Sequence, residues 1–522
     1  MDRAPPRGAP RDAVGQRWLA VFVLQAALSA AASALYLAAV FVLQAALSAA
    51  ASALYLAAAP RRSHASLGVP PGLLLALHPF LSCAATGLLA LAFLVSASPH
   101  PRPPPLPRRA LAAFLLAAAG ALCLGGAASL APEGSGWAAI AGLGFRGAVL
   151  GAVFAAHYFW RRRWLLQFPV VQRPPFYGLK MGLLPSGKRA LKVSLQAFLL
   201  SFILILILPR QFRIRGSIGS QIFTEIGILM MSTAVSFCWE LSHHFVQVVH
   251  TRRCSFAPPQ STAAAETNPS EYVLETLELS DPRSLMHYLA YQDLCAVSEC
   301  NLEPWRRGAF FEESGETYKR IVTSCLKPLE EFTSKIAEAL EGFSSEKPEL
   351  LSQQFKLAGA FNDLQICTWC ARTLASLTAR SRQEDRYGVA QLTGCNAAVM
   401  STLLSALLAV EACLGKKTNP QLMNSLGPAS IRWGNFSTGR KGSITAIAST
   451  QRGGLHTKAY SMADVLRTSI YQIVSAFEED MRANAKASSL DKNWISEGRK
   501  PVFGSLAVLV QKLNLFIEYR AV

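Results

Sequence analysis

Apolar residues follow two different patterns along this 522-residue chain. In the first half they run in near-continuous blocks of roughly 20, the length an α-helix needs to cross a hydrocarbon core about 30 Å thick. The blocks predict helices over Gly72–Ser96, Ala110–Leu130, Trp137–Tyr158, Ala190–Leu208 and Ile222–Val248, after an earlier apolar stretch at 21–58. In the second half the apolar positions recur every three or four residues, the period of a helix with one buried face. Val465, Leu466, Ile470, Ile473, Ala476, Phe477 and Met481 form one such stripe, with Ser461 and Asp464 as a capping box at its start. Leu403, Leu404, Leu407, Leu408 and Val410 form another before Gly415. The last stripe contains Leu506, Leu509, Leu513 and Phe516. It reads first as domain core, and those four residues are also candidates for docking a partner. The expected fold is all-α: a polytopic membrane bundle of about six transmembrane helices followed by an α-helical cytosolic domain.

One stretch departs from this order. Residues 21–39, VFVLQAALSAAASALYLAA, recur unchanged as residues 40–58. As a single helix the 38 residues would be about 57 Å long, nearly twice the hydrocarbon thickness. As two spans they would need a turn at Ala39-Val40, where no Gly, Pro or polar residue makes one. The stretch is therefore counted as one span. An Arg-bearing leader precedes it (Arg3, Arg7, Arg11, Arg17). A cleaved signal peptide has that form, but the leader is long and further spans follow, so a retained span is expected.

Charge separates the same two halves. Residues 1–254 carry 23 Lys+Arg against 5 Asp+Glu, while residues 255–522 carry 28 of each, so the whole net charge of +18 lies in the apolar half. Basic residues gather on the cytosolic side of membrane spans. With six spans and a cytosolic N-terminus, 17 Lys/Arg fall on that side and five on the other (Arg61, Arg62, Arg210, Arg213, Arg215). A seven-span count would split the bias. The division expected is a basic tail at 1–20, a transmembrane domain at 21–254, a Pro/Ser/Thr/Ala linker at 255–270 and an α-helical soluble domain at 271–522. Zero net charge on the soluble half argues against a nucleic-acid binder.

Few residues carry chemistry. His157-Tyr-Phe-Trp160-Arg161-Arg162-Arg163-Trp164 closes the fourth span as an aromatic and cationic membrane-interface segment that favours anionic headgroups. Arg146 falls inside a span, where an unpaired cation is costly, and Glu225 is its candidate partner. Gly147-x-x-x-Gly151 permits close helix approach. Eleven cysteines show no disulfide framework, and Cys367-Thr-Trp-Cys370 lacks the second pair of a zinc site. His243, His244, His250 and Cys254 read as interfacial rather than metal-binding. Glu384-Asp385-Arg386 reads as a cap or surface network opening a helix before Gly388. Gly434-Asn-Phe-Ser-Thr-Gly439-Arg440-Lys441 misses the P-loop because Arg440 stands where its lysine belongs. Asn435-Phe-Ser437 is a glycosylation sequon on the side of the membrane where none would be used. No catalytic, cofactor or metal site emerges, and the chain does not read as an enzyme.

Four patches of residues carry a resemblance. Tyr288-Leu-Ala-Tyr-Gln-Asp-Leu294, Leu374 through Val389 with the leucine-rich helix to Lys417, Gln167-Phe-Pro-Val-Val-Gln172, and the helix around Ser469-Ile-Tyr-Gln-Ile473 resemble the nuclear-division-cycle type of transmembrane nucleoporin. The resemblance implies an integral protein of the pore membrane, at the nuclear envelope. Its spans would anchor the nuclear pore complex, and its cytosol-facing domain would contact soluble scaffold nucleoporins, including an Aladin-type protein. It also implies a part in pore assembly. The tandem repeat departs from that layout, and the Ser/Pro-rich insert that animal members carry in the soluble half is missing. The alternative is an endoplasmic-reticulum transporter or membrane enzyme with a regulatory cytosolic domain.

Overall fold

The computed structural model describes residues 14–21, 23, 71–128, 137–169, 172–207, 218–258, 268–301, 303–342, 356–415, 443–487, 489–495 and 501–519. Nearly all of the repeat, the sequon at Asn435 and the near-miss at Arg440 lie outside the described residues. Within them the chain is helical, and extended pairing is limited to one parallel bridge between Ser98 and Leu165. The chain divides into two compact units, Asp12–Arg252 and one containing Arg253–Val522.

Among the described residues of the first unit five long helices follow one another: α1 (Pro71–Ser96), α2 (Leu106–Ala128), α3 (Trp137–Trp160), α4 (Pro175–Ile207) and α5 (Ile218–His250). Each carries one of the apolar blocks read from the sequence. Their ends share one face of the bundle. After α1, the Ser98 amide donates to the Trp164 carbonyl at 3.0 Å, just past the end of α3. The Gln247 amide near the end of α5 reaches the Leu165 carbonyl at 3.0 Å. His244 on α5 bonds the Gly178 carbonyl near the start of α4 at 2.9 Å. So α1, α3 and α5 run toward this face and α2 and α4 run away from it. Arg17 lies there too, donating to the carbonyls of His250 at 2.6 Å and Arg252 at 2.7 Å. A cation on the orphan carbonyls of a helix C-terminus is the electrostatically favoured cap.

Small residues set how closely these helices pack. A Cβ on Gly120 or Gly147 would collide with the other's carbonyl oxygen, and one on Gly151 would collide with the Leu116 carbonyl. The backbones of α2 and α3 therefore touch, the close approach that small residues allow between helices. On α4 the positions Gly178, Gly182, Ser186, Ala190, Ser194, Ala197 and Ser201 form a small-residue stripe, buried from Gly182 onward. Ser194 Oγ bonds the Ser232 carbonyl of α5 at 3.1 Å, and a Cβ on Gly182 would strike the His244 ring.

The second unit comprises α6 (Glu271–Leu279), α7 (Leu285–Glu299), α8 (Pro304–Gly308), α9 (Glu316–Gly342), α10 (Leu364–Glu384), α11 (Val389–Leu392), α12 (Cys395–Gly415), α13 (Ser443–Ala476), α14 (Glu478–Lys486), α15 (Leu490–Trp494) and α16 (Leu506–Ile517). Helices α9, α10, α13 and α12 pack in a closed ring of neighbours, a four-helix arrangement against which α7 and α16 add further layers. Its core holds Leu329, Phe332 and Ile336, then Cys370 and Leu374, then Leu403, Leu404 and Leu407, then Leu466, Ile470 and Ile473. One expectation is corrected here. Helix α13 begins at Ser443 and runs through Ser461, so Ser461 and Asp464 are mid-helix and form no capping box.

Among the described residues three helices are long and apolar enough to cross a membrane: Leu106–Gly125, Phe176–Ile207 and Cys395–Gly415. The third is α12, whose most apolar stretch is 67% buried inside the second unit. There the apolarity serves a protein core, because a helix surrounded on all sides by other helices needs no polar face.

Candidate functional site

Arg146 sits on α3, between Phe145 and Gly147. It donates to both carboxylate oxygens of Glu225 on α5, at 2.5 and 2.6 Å. Arg146 is 4% exposed and Glu225 23%. Two parallel N–H···O bonds match the planar fork of arginine and neutralise both charges where hydration is least available.

A second pair lies at the face where α3 ends. Arg163 donates to both oxygens of the fully buried Glu240 at 2.5 and 2.6 Å, with Arg189 at 3.8 Å from the same carboxylate. His243 closes the group: its Nδ1 accepts from Arg163 at 3.0 Å and its Nε2 donates to the Arg163 carbonyl at 2.9 Å. Tyr158 bonds Ser96 Oγ at 3.0 Å and packs edge-on against His243. The chain then turns along the bundle end, where the Gln167 amide donates to Gln247 Oε1 at 3.0 Å and the Gln172 amide group donates to the Thr251 carbonyl at 3.2 Å.

This geometry corrects the reading of the segment from Trp160 to Trp164 as one outward-facing belt. Trp160, 89% exposed, and Arg161 and Arg162 face outward, whereas Arg163 turns in to Glu240 and Trp164 is buried. The cause is local: Arg162 adopts a left-handed backbone with φ 50°, which reverses the chain at the end of α3. Successive side chains therefore point to different sides.

In the second unit the residues immediately after the boundary are fastened to buried charge. Asp293 accepts from Arg253 Nε at 2.8 Å, the Phe256 amide at 3.0 Å and Arg306 Nη2 at 2.8 Å. Arg306 also bonds Glu303 at 2.5 Å. Farther along, Arg307 forms a fork with Glu384 at 2.8 and 2.7 Å, and Arg372 one with Glu299 at 2.6 and 2.5 Å. Glu384 thus closes α10 rather than opening a helix. Asp385 accepts from the Ala390 amide at 2.8 Å and orders the turn at Gly388, φ 68°, into α11. Tyr291 performs a subtler repair. Pro328 inside α9 has no N–H for the Ser324 carbonyl, and the Tyr291 hydroxyl supplies the missing donor at 2.9 Å.

The docking candidates on α16 do not form a free surface. Leu509, Leu513 and Phe516 are fully buried in the unit's own core, and only Leu506 is exposed. Cys367 and Cys370 are buried thiols on α10, and burial raises the pKa of both. His243 and His244 are engaged separately, and among the described residues no group of three His, Cys, Asp or Glu side chains could hold a metal ion.

Residues 143–356 and 350–483 match the family described as Nucleoporin protein Ndc1-Nup. The chain belongs to this nucleoporin family. The matched stretches begin within α3 and include Arg146, Glu225, Arg163, Glu240, Asp293 and Arg306, but not α16. No curated protein matches the chain individually. With its family and its apolar helices, the protein fits a membrane nucleoporin of the nuclear pore, and the family is a structural one.

Proposed function

We propose that this nucleoporin anchors the nuclear pore complex in the pore membrane, without catalysis, and recruits soluble nucleoporins through residues 271–522. In this reading the first unit crosses the membrane six times and both termini lie on the cytosolic and nuclear side. The observation that supports it is a shared face, where Arg17 and the ends of α1, α3 and α5 lie together. The apolar stretch at 21–58, counted from the sequence as one span, added to the five described helices, gives six. The same face carries the cations Arg102, Arg108, Arg161, Arg162, Arg173, Lys180 and Lys188, as a cytosolic face should.

The two buried ion pairs support an anchor over a transport path, since each charge is consumed by a fixed bidentate partner. Scaffold nucleoporins, an Aladin-type protein among them, are the proposed partners of the second unit, with pore assembly as the process. Super-resolution imaging of the endogenously tagged chain against a scaffold nucleoporin tests the reading. Coincident puncta at the nuclear rim are expected; a continuous reticular signal without pore enrichment would favour a transporter or enzyme of the endoplasmic reticulum.

A further inference from the structure

Helix α4 is longer than the membrane it is read as crossing. Its 33 residues span about 50 Å, against a hydrocarbon core of about 30 Å. The excess lies at its N-terminal end. His157 near the end of α3 is hydrogen-bonded to Gln196 at 2.6 Å, and Arg163 and Arg189 share Glu240. These links fix where the α3 terminus, with its outward Trp160 and Arg161, stands along α4. Met181 is eight residues beyond Arg189, about 12 Å farther out along the axis.

That outer segment is built like the part inside the bilayer. Its inner side is the small stripe Gly178, Gly182 and Ser186, against α5. Its outer side exposes Phe176, Tyr177, Met181, Leu183 and Leu184, in line with the exposed Leu191, Leu195 and Leu199 of the span. Between Arg161 and Lys192 there are eight Lys/Arg and no Asp or Glu. Of these, Arg161, Arg162, Arg173, Lys180, Lys188 and Lys192 are exposed.

We propose that the outer face of α4 from Phe176 to Leu184 is a contact surface for an anionic phospholipid leaflet, which follows the helix beyond the level at which α3 leaves the membrane. Two observations favour lipid over a soluble partner: the face lies on the same side of α4 as the exposed leucines of the span, with Lys188 between them, and its aromatic, aliphatic and purely cationic make-up is that of an interfacial segment. A helix too long for its bilayer is accommodated by tilt or by local displacement of the leaflet. Pro185 inside α4 provides a point at which the segment can bend. The consequence is an uneven membrane boundary around the bundle, high beside α4 and lower beside α3.

The proposal rests on the reading of the first unit as membrane-spanning, and one experiment separates the two. The full chain is reconstituted in phosphatidylcholine–phosphatidylserine vesicles with an environment-sensitive fluorescent amino acid at position 181, 199 or 392, and quenching by nitroxide-labelled lipid is measured. Position 199 reports the span, and position 392 stands for Leu392, an exposed site in the second unit. The expected result is strong lipid quenching at 199 and at 181, at least several-fold above 392, with the signal at 181 falling when phosphatidylserine is omitted. Quenching at 199 but not at 181 would overturn the proposal and point to a protein or water on this face. A signal at 181 indifferent to phosphatidylserine would overturn its anionic selectivity. Absence of quenching at 199 would overturn the membrane reading itself.

Discussion

Arg146 and Glu225, 79 residues apart in sequence, meet as a two-bond ion pair between α3 and α5. Arg146 lies one residue before Gly147, whose backbone meets Gly120 of α2. Neither charge could be removed alone without stranding its partner in a medium that hydrates it poorly.

Arg146→Gln and Glu225→Gln should each destabilise the first unit by about 3 kcal/mol or more, while the double substitution should be milder than either single one, because no uncompensated charge remains. Thermal unfolding of the detergent-solubilised chain reads the difference. Equal loss in the double and the sum of the singles would show that the two side chains act independently.

Glycine substitutions should sort by what their Cβ meets. Gly147→Ala and Gly120→Ala drive a methyl group into a carbonyl of the facing helix, whereas Gly87→Ala and Gly227→Ala meet nothing within 4 Å. The first two should lower the melting temperature; the second two should be neutral or stabilising by up to about 1 kcal/mol through helix propensity. Comparing the four melting curves checks the α2–α3 contact directly.

Tyr291→Phe should cost about 1 kcal/mol, because the Ser324 carbonyl beside Pro328 loses its donor. In a Pro328→Ala background the same change should cost less, since alanine restores the backbone N–H. Chemical unfolding across the four variants gives the coupling, and a cycle that closes to zero would remove the proposed repair.

The placement of the helices was legible because a membrane span and an amphipathic helix each impose an apolar period that survives any partner. What α16 buries was less so. Leu509, Leu513 and Phe516 present the same spacing whether they face a domain core or another chain, and only the packed unit distinguishes the two. Arg163 shows the stronger limit. Three consecutive arginines look equivalent in sequence, but the left-handed turn at Arg162 sends the third to a glutamate 77 residues away. The Arg146–Glu225 pairing could be anticipated because so few acids occur in the first half. No comparable scarcity singled out Asp293 among the 28 acids of the second.

His287 gives the second unit a dependence on acidity. Burial lowers its pKa from 6.5 to about 4, while Ser280 bonds its Nδ1 at 3.0 Å. The folded chain therefore holds the ring neutral at pH values where the unfolded chain protonates it. Above pH 6.5 both states are neutral and the contribution to stability is constant; stability falls as the pH drops from 6.5 to about 4, then levels off. The loss over that window is on the order of 3 kcal/mol. Amide protection factors of α7 in the full chain, corrected for the intrinsic exchange rate at each pH, should fall across this range for the native sequence and remain flatter for His287→Leu.

Asp293 should be the least replaceable acid after the unit boundary. It is fully buried and receives Arg253, Arg306 and the Phe256 amide, so the first residues of the unit are held to α7 and α8 through one carboxylate. Asp293→Asn keeps the shape but removes the charge facing two arginines and puts N–H groups where one oxygen accepted. Arg306, 1% exposed, would then rely on Glu303. A loss of about 3–5 kcal/mol is expected for breaking a buried pair from one side. Glu303→Gln should cost less, because Glu303 is 25% exposed and water can replace part of its role. Limited proteolysis between Arg252 and Ser270 provides the readout. Faster cleavage in Asp293→Asn than in Glu303→Gln is the expected order, and the reverse order would move the fastening point from Asp293 to Glu303.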